Sequence, residues 1–267
     1  MKRLPTLLLL ALPLLATPVI AAELSGAIYS PSGKLPASIT VLAEPDDKSP
    51  AIAGTVEKGR YRITVPDNGS YLLQVRSAGW QAAPTRIAGP ITAPALDVLL
   101  YPADVPQPAL AQELIRMGEA DQAVRANIPY GDQEYWKRMR AEDKLREERL
   151  GRIIDEHGWP RISQVGHEAA NGAWMVAQHG TYAFLKRCLP LMQAAFEAHE
   201  ITAPNLALTI DRVLMNDEKE QRYGSQFKRE KDGKLIPFPM EDAAHVDERR
   251  ASMGLEPFET NRKRLEN

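Results

Sequence analysis

The sequence predicts a multidomain α and β protein: a small antiparallel β-sandwich followed by a mostly α-helical domain with one β-hairpin. Three observations predict it. Between residues 23 and 101, short runs alternate apolar and polar positions and are punctuated by turn residues, as in half-buried strands. Residues 102–108 then carry three prolines in seven positions, Pro102, Pro106 and Pro108, which stiffen a linker and mark a boundary. Beyond it, in residues 109–267, apolar residues recur three and four apart, the period of a helix face. The length, 267 residues, exceeds what one core usually needs.

The first 22 residues read as a secretory signal. Lys2 and Arg3 form a charged start, residues 7–15 are apolar but for Pro13, and Val19, Ile20 and Ala21 supply a cleavage context. The apolar stretch is shorter than the roughly 20 residues of a membrane span, so no stable membrane insertion is expected after cleavage. The mature protein is expected to be periplasmic or secreted. Lys+Arg is 33 against Asp+Glu 35, and without a basic excess nucleic acid is not the expected partner. Cys188 is the only cysteine, so no intrachain disulfide forms; it sits in an amphipathic run as a buried apolar thiol.

The strands follow in order. Residues 24–29 form the first, closed by Ser30-Pro31-Ser32-Gly33. Residues 39–42, 59–65, 71–75 and 96–100 complete the set, with Glu44-Pro45-Asp46-Asp47 and Asp67-Asn68-Gly69 as turns. Gly26-x-Ile28, Gly33-Lys34-Leu35-Pro36, Gly59-x-Tyr61, Gly69-x-Tyr71 and Gly79-Trp80 resemble the carboxypeptidase-regulatory or transthyretin-like sandwich. That resemblance implies a folding aid, spacer or adhesion unit without catalytic residues. Trp80 is expected to pack on the core.

In the second module, residues 109–126 have helical spacing at Leu110, Leu114 and Met117, with Asp121 and Arg125 four apart on one face. Residues 132–157 are a charged surface helix with Leu150, Ile153 and Ile154 as its apolar stripe. Ser163 is placed as N-cap of a helix over 164–178. On it, Gly166, Ala170 and Gly172 would let another helix approach closely, and His167, Asn171, Trp174 and Gln178 form a second, polar-aromatic face. Pro190 is expected to kink the helix over 181–199. Leu206, Ile210, Val213 and Leu214 give the next helix a clean core stripe, with Pro204 in its first turn. A hairpin is expected around Lys231-Asp232-Gly233.

The motif search is mostly one of exclusions. His167-Glu168-Ala169-Ala170-Asn171 begins like a zinc-protease helix, but Asn171 replaces the second histidine that would complete the grip on the metal. No metal or cofactor is expected. There is no nucleophile elbow and no phosphate-cradling glycine loop. What remains is a constellation of titratable and amide groups. His179 would be a general base with Asp211 orienting it. Asp121, Gln122, Arg125, Gln178, Arg212, Gln221, Tyr223, Gln226, Asp247 and Arg250 would bind the substrate, the arginines holding an anionic group and the amides orienting a polar one.

The ordered set Asp121-Gln122-x-x-Arg125, Gly158-Trp159-Pro160, Gln178-His179, Asp211-Arg212, Gln221-x-Tyr223-Gly224-x-Gln226, Asp247-x-Arg249-Arg250 and Gly254-Leu255 resembles a bacterial domain family of unknown function, the one numbered six-six-two-four. The resemblance covers about residues 110–265, with Ser225 where the family often has threonine. It implies a mostly helical domain with a shared polar cluster and brings no established activity. Two readings stand. In one, a polar cleft takes a polar or anionic small molecule or peptide and hydrolyses it; in the other, a non-enzymatic envelope module binds a protein partner and the polar cluster is purely structural.

Overall fold

The computed structural model describes residues 21–89, 91, 95–126, 129, 131–230 and 234–266. The expected leader, apart from Ala21 and Ala22, lies outside these residues, as does the turn 231–233. The strands are β1 (Ala21–Tyr29), β2 (Thr40–Pro45), β3 (Ile52–Ala53), β4 (Thr55–Glu57), β5 (Arg60–Pro66), β6 (Ser70–Arg76), β7 (Trp80–Ala82), β8 (Thr85–Ala88) and β9 (Val98–Pro102). They form a five-stranded sheet, order β4-β5-β1-β9-β7, and a four-stranded sheet, order β3-β2-β6-β8. All pairings are antiparallel except β1 with β9, where Ile28 faces Val98.

Alternation decides which face is inside. In β5, Tyr61, Ile63 and Val65 are buried while Arg60, Arg62 and Thr64 are exposed; β6 buries Tyr71, Leu73 and Val75 in the same way. Trp80 packs against this core. Gly26 is required by a close approach: a Cβ there would lie 2.0 Å from the carbonyl oxygen of Leu96.

The second module comprises α1 (Pro108–Ala123), α2 (Gln133–His157), α3 (Ile162–Val165), α4 (His167–His179), α5 (Tyr182–Glu197), α6 (Ala203–Asn216), the hairpin β10 (Phe227–Arg229) and β11 (Leu235–Pro237), a 3-10 turn (Ala243–His245), α7 (Val246–Ser252) and α8 (Phe258–Glu266). The expected helix over 164–178 is two helices. Gly166 sits at φ 86°, outside the right-handed region, and breaks the run into α3 and α4. Ser163 does not cap; its backbone N–H and hydroxyl donate to the buried Glu200 carboxylate at 2.8 and 2.6 Å. Helix α5 continues through Pro190 to Glu197 and starts at the Thr181 cap. Cys188 is buried on it, and burial pushes its thiol up to about 12.

The modules share packing. Tyr101 of β9 is buried in the helical core with Leu114, Ile162, Val165 and Ala169. Its hydroxyl accepts the backbone N–H of His167 at 3.0 Å, and Tyr29 stacks on His199 at a centroid distance of 4.1 Å.

Candidate functional site

The site begins where α1 crosses α4. A Cβ on Gly172 would fall 2.4 Å from the carbonyl oxygen of Leu114, and one on Gly118 would fall 2.8 Å from the Cα of Gly172. Two bare backbones therefore meet, as the small residues of 166–172 suggest. Asp121 follows Gly118 by one turn, and His179 follows Gly172 by two, so both project from the same side of the crossing.

Asp121 is buried, and its Oδ2 lies 2.8 Å from His179 Nδ1. Because the carboxylate can only accept, the shared proton is assigned to Nδ1, which leaves Nε2 as the free lone pair of the neutral ring. The same Oδ2 accepts from Gln122 Nε2 at 2.9 Å. Oδ1 lies 2.9 Å from Arg125 Nη1 but has no aligned hydrogen bond. The same nitrogen donates to the carbonyl of Asp121 itself, at 2.8 Å. Arg125 Nη2 reaches Asp143 at 2.8 Å, and Asp143 also takes Arg146 at 2.8 Å.

Asn171, Trp174 and Gln178, three of the four residues of the second face on α4, meet α6. Trp174 Nε1 donates to the carbonyl of Asn205 and to Thr209 Oγ1, both at 3.0 Å, and Asn205 Nδ2 donates to Asn171 Oδ1 at 3.0 Å. Gln178 is buried with its Oε1 3.4 Å from Thr209 Oγ1. Arg212, on α6, donates from Nη1 to the carbonyl of Gln178 at 2.6 Å and from Nε to Gln226 Oε1 at 3.4 Å. Burial lowers its pKa, and the nearby Arg125 charge lowers it further.

Asp211, also on α6, is fully buried and spends its carboxylate on the 221–226 loop. Its Oδ1 accepts from the N–H of Arg222 at 2.8 Å and of Tyr223 at 3.0 Å, and its Oδ2 from the N–H of Ser225 at 2.9 Å. The carboxylate thus folds the 221–226 loop, whose Gly224 sits at φ 64°. Gln221 closes the loop from inside: Nε2 donates to the carbonyls of Gln226 and Phe238 at 3.0 and 2.9 Å, and Oε1 accepts from Gln226 N–H at 2.8 Å. Arg250, also buried, donates to the carbonyls of Tyr223 and Glu256, each at 2.6 Å. Burial lowers its pKa. Asp247 accepts the N–H of Phe258 at 2.6 Å.

The constellation therefore divides. Asp211, Gln221, Asp247 and Arg250 have their hydrogen bonds spent on backbone. Asp121 instead holds Gln122, Arg125 and His179, whose side chain is 26% exposed, and Arg212, near enough to Arg125 to feel its charge, meets Gln226. Tyr223 is half-buried. The carboxylate that orients His179 is Asp121, not the expected Asp211. Asp143 and Arg146 are not among the expected site residues; from the sequence Arg146 reads only as the i,i+4 partner of Glu142 in a run of solvated surface charge. An apolar groove of about 250 Å³ lies elsewhere, between the modules, lined by Leu96, Phe196, His199 and Met253 among others.

All of these site residues fall within residues 108–267, the region matched by the family of unknown function DUF6624. The chain belongs to that family. No curated protein and no solved structure matches it. The DUF6624 region starts after the sandwich, so it carries both halves of the polar cluster and leaves the N-terminal resemblance an expectation.

Proposed function

We propose that this is an exported envelope protein whose DUF6624 domain binds a polar, anionic small molecule or peptide beside His179 and hydrolyses it. The observation that carries the reading is the Asp121–His179 pair, a buried carboxylate holding by Nδ1 an imidazole whose side chain is 26% exposed. In this role Nε2 takes a proton from water as the hydroxide adds to the electrophilic carbon or phosphorus of the ligand. The imidazolium, stabilised by Asp121, returns that proton to the leaving group. Arg212 and Gln226 hold the ligand's charged end. Export is supported by the charged and apolar leader of residues 1–22.

A screen of ester, amide and phosphoester substrates against the chain from residue 23 tests the reading. Turnover that His179→Gln removes at an unchanged melting temperature supports it. Turnover indifferent to His179, or none with any substrate, sinks the hydrolytic part. A second reading, a protein-binding module, is favoured by the internally satisfied bonds of Asp211, Gln221 and Arg250; capture of a specific envelope partner without turnover is its expected outcome.

A further inference from the structure

Among the described residues, the charged groups linked to Asp121 are in ion pairs and Arg212 is not. Arg125 contacts Asp121 at 2.9 Å and Asp143 at 2.8 Å, and Arg146 contacts Asp143 at 2.8 Å. Glu142 lies 3.5 Å from Arg146, but its side chain is 50% exposed and water screens it. Arg212 is half-buried, and among the described residues no carboxylate pairs with it. Its partners are a backbone carbonyl and an amide oxygen, both neutral. They occupy Nη1 and Nε; Nη2 has no hydrogen-bond partner among the described residues. A guanidinium partly withdrawn from water and near enough to a second one to feel its charge is ordinarily balanced by an anion.

We infer that a singly charged oxyanion of the ligand, a carboxylate or a phosphodiester, docks on Arg212 Nη2 beside His179 Nε2, with Gln226 fixing the plane of the guanidinium. The inference rests on the anion-binding reading proposed above and narrows it in two ways. First, one uncompensated positive charge calls for one negative charge. A phosphomonoester, close to doubly charged at neutral pH, would bring an excess of negative charge next to Asp121. Second, Nη1 gives only one of its two N–H groups to Gln178, so its second N–H together with those of Nη2 can still meet two oxygens at once, which suits a carboxylate or the two free oxygens of a diester. Burial and the Arg125 repulsion depress the pKa of Arg212, and an anion docked on it relieves both.

The test is thermal unfolding of the chain from residue 23 with acetate, dimethyl phosphate or sulfate, at constant ionic strength against chloride. A tenfold excess of a bound anion over its dissociation constant should raise the helical-domain midpoint by about 3–6 °C. The expected result is a rise with acetate or with dimethyl phosphate, the larger of the two identifying the ligand's group. Arg212→Lys keeps the charge but not the fork and should lose that rise; Arg212→Gln should lose it too. A larger rise with sulfate overturns the single-charge inference while leaving an anion site in place. Equal rises in wild type and Arg212→Lys place the anion elsewhere and also overturn it. No rise with any of the three removes both this inference and the anion-binding reading.

Discussion

Asp121 Oδ2 lies 2.8 Å from Nδ1 of His179, across a crossing of two helices whose contact is made by glycine. The buried carboxylate has two cations or potential cations on it, His179 and Arg125, and a neutral amide. Asp121→Ala strands the half-buried Arg125 guanidinium on Asp143 alone. Breaking such a pair costs about 3–5 kcal/mol, which at about 2–4 °C per kcal/mol for a domain of this size lowers the melting temperature by at least about 6 °C. The isosteric Asp121→Asn should cost less in stability yet release the tautomer of His179. The ¹⁵N shifts of the imidazole report this directly, with Nδ1 protonated in wild type and a mixture in the variant.

Asp211 should be a stability residue. Three backbone N–H groups converge on it, and Asp211→Ala leaves all three without an acceptor in the interior. At about 1–3 kcal/mol for each stranded donor, a loss of at least about 3 kcal/mol is expected in urea unfolding. Gln226→Ala should cost less, since it removes one 3.4 Å contact to Arg212 and one 2.9 Å bond to Ser225 while leaving the loop's backbone bonds intact. The reverse order would assign the loop's stability to Gln226.

Gly172→Ala should damage the site without touching it. The helix propensity gain of about 1 kcal/mol is outweighed by a Cβ placed 2.4 Å from the Leu114 carbonyl oxygen, an overpacking cost of about 1–3 kcal/mol or more. The two helices must part. Net destabilisation should therefore come with loss of the Asp121-held His179 signature in the same ¹⁵N spectrum.

His167 sets an acid limit. Burial lowers its pKa from 6.5, so the native state holds it neutral while the unfolded chain takes up a proton. The unfolded state then binds more protons near and below pH 6.5, and stability falls as the pH drops through that window. His245 runs the other way: its hydrogen bond to Asp242 raises its pKa, so its contribution is present at low pH and lost as the pH rises past the raised value, though it is fully exposed. Melting temperatures between pH 7.5 and 5.5 should fall in wild type, and His167→Gln should flatten the fall.

The longer elements were legible because their patterns are local. Alternation marked β5 and β6, and the stripe at Leu206, Ile210 and Val213 marked α6. Strands β3, β4, β7 and β8 were missed, since segments of two to four residues carry too little period to distinguish them from turns. The α3–α4 break was missed because Gly166 was read as a packing residue, not as one at positive φ. At the candidate site, sequence reading pairs His179 with Asp211, whereas the structure pairs it with Asp121. Asp211 and His179 looked like partners as a plausible base and its orienter, whereas Asp121 and His179 stand 58 residues apart and are joined only by tertiary packing. No local spacing reveals that.

Tyr101 gives the boundary between the modules a different meaning. Helix α4 has Gly166 at its start and no side-chain cap of its own; the hydroxyl that receives its first N–H belongs to β9. The matched family region, residues 108–267, therefore draws on packing from outside its own bounds. Cutting the chain where the family begins would remove an aromatic ring from the helical core and an acceptor from the helix that ends in His179. In this protein the sandwich is part of the foundation on which the imidazole is mounted, about 20 Å of helix away.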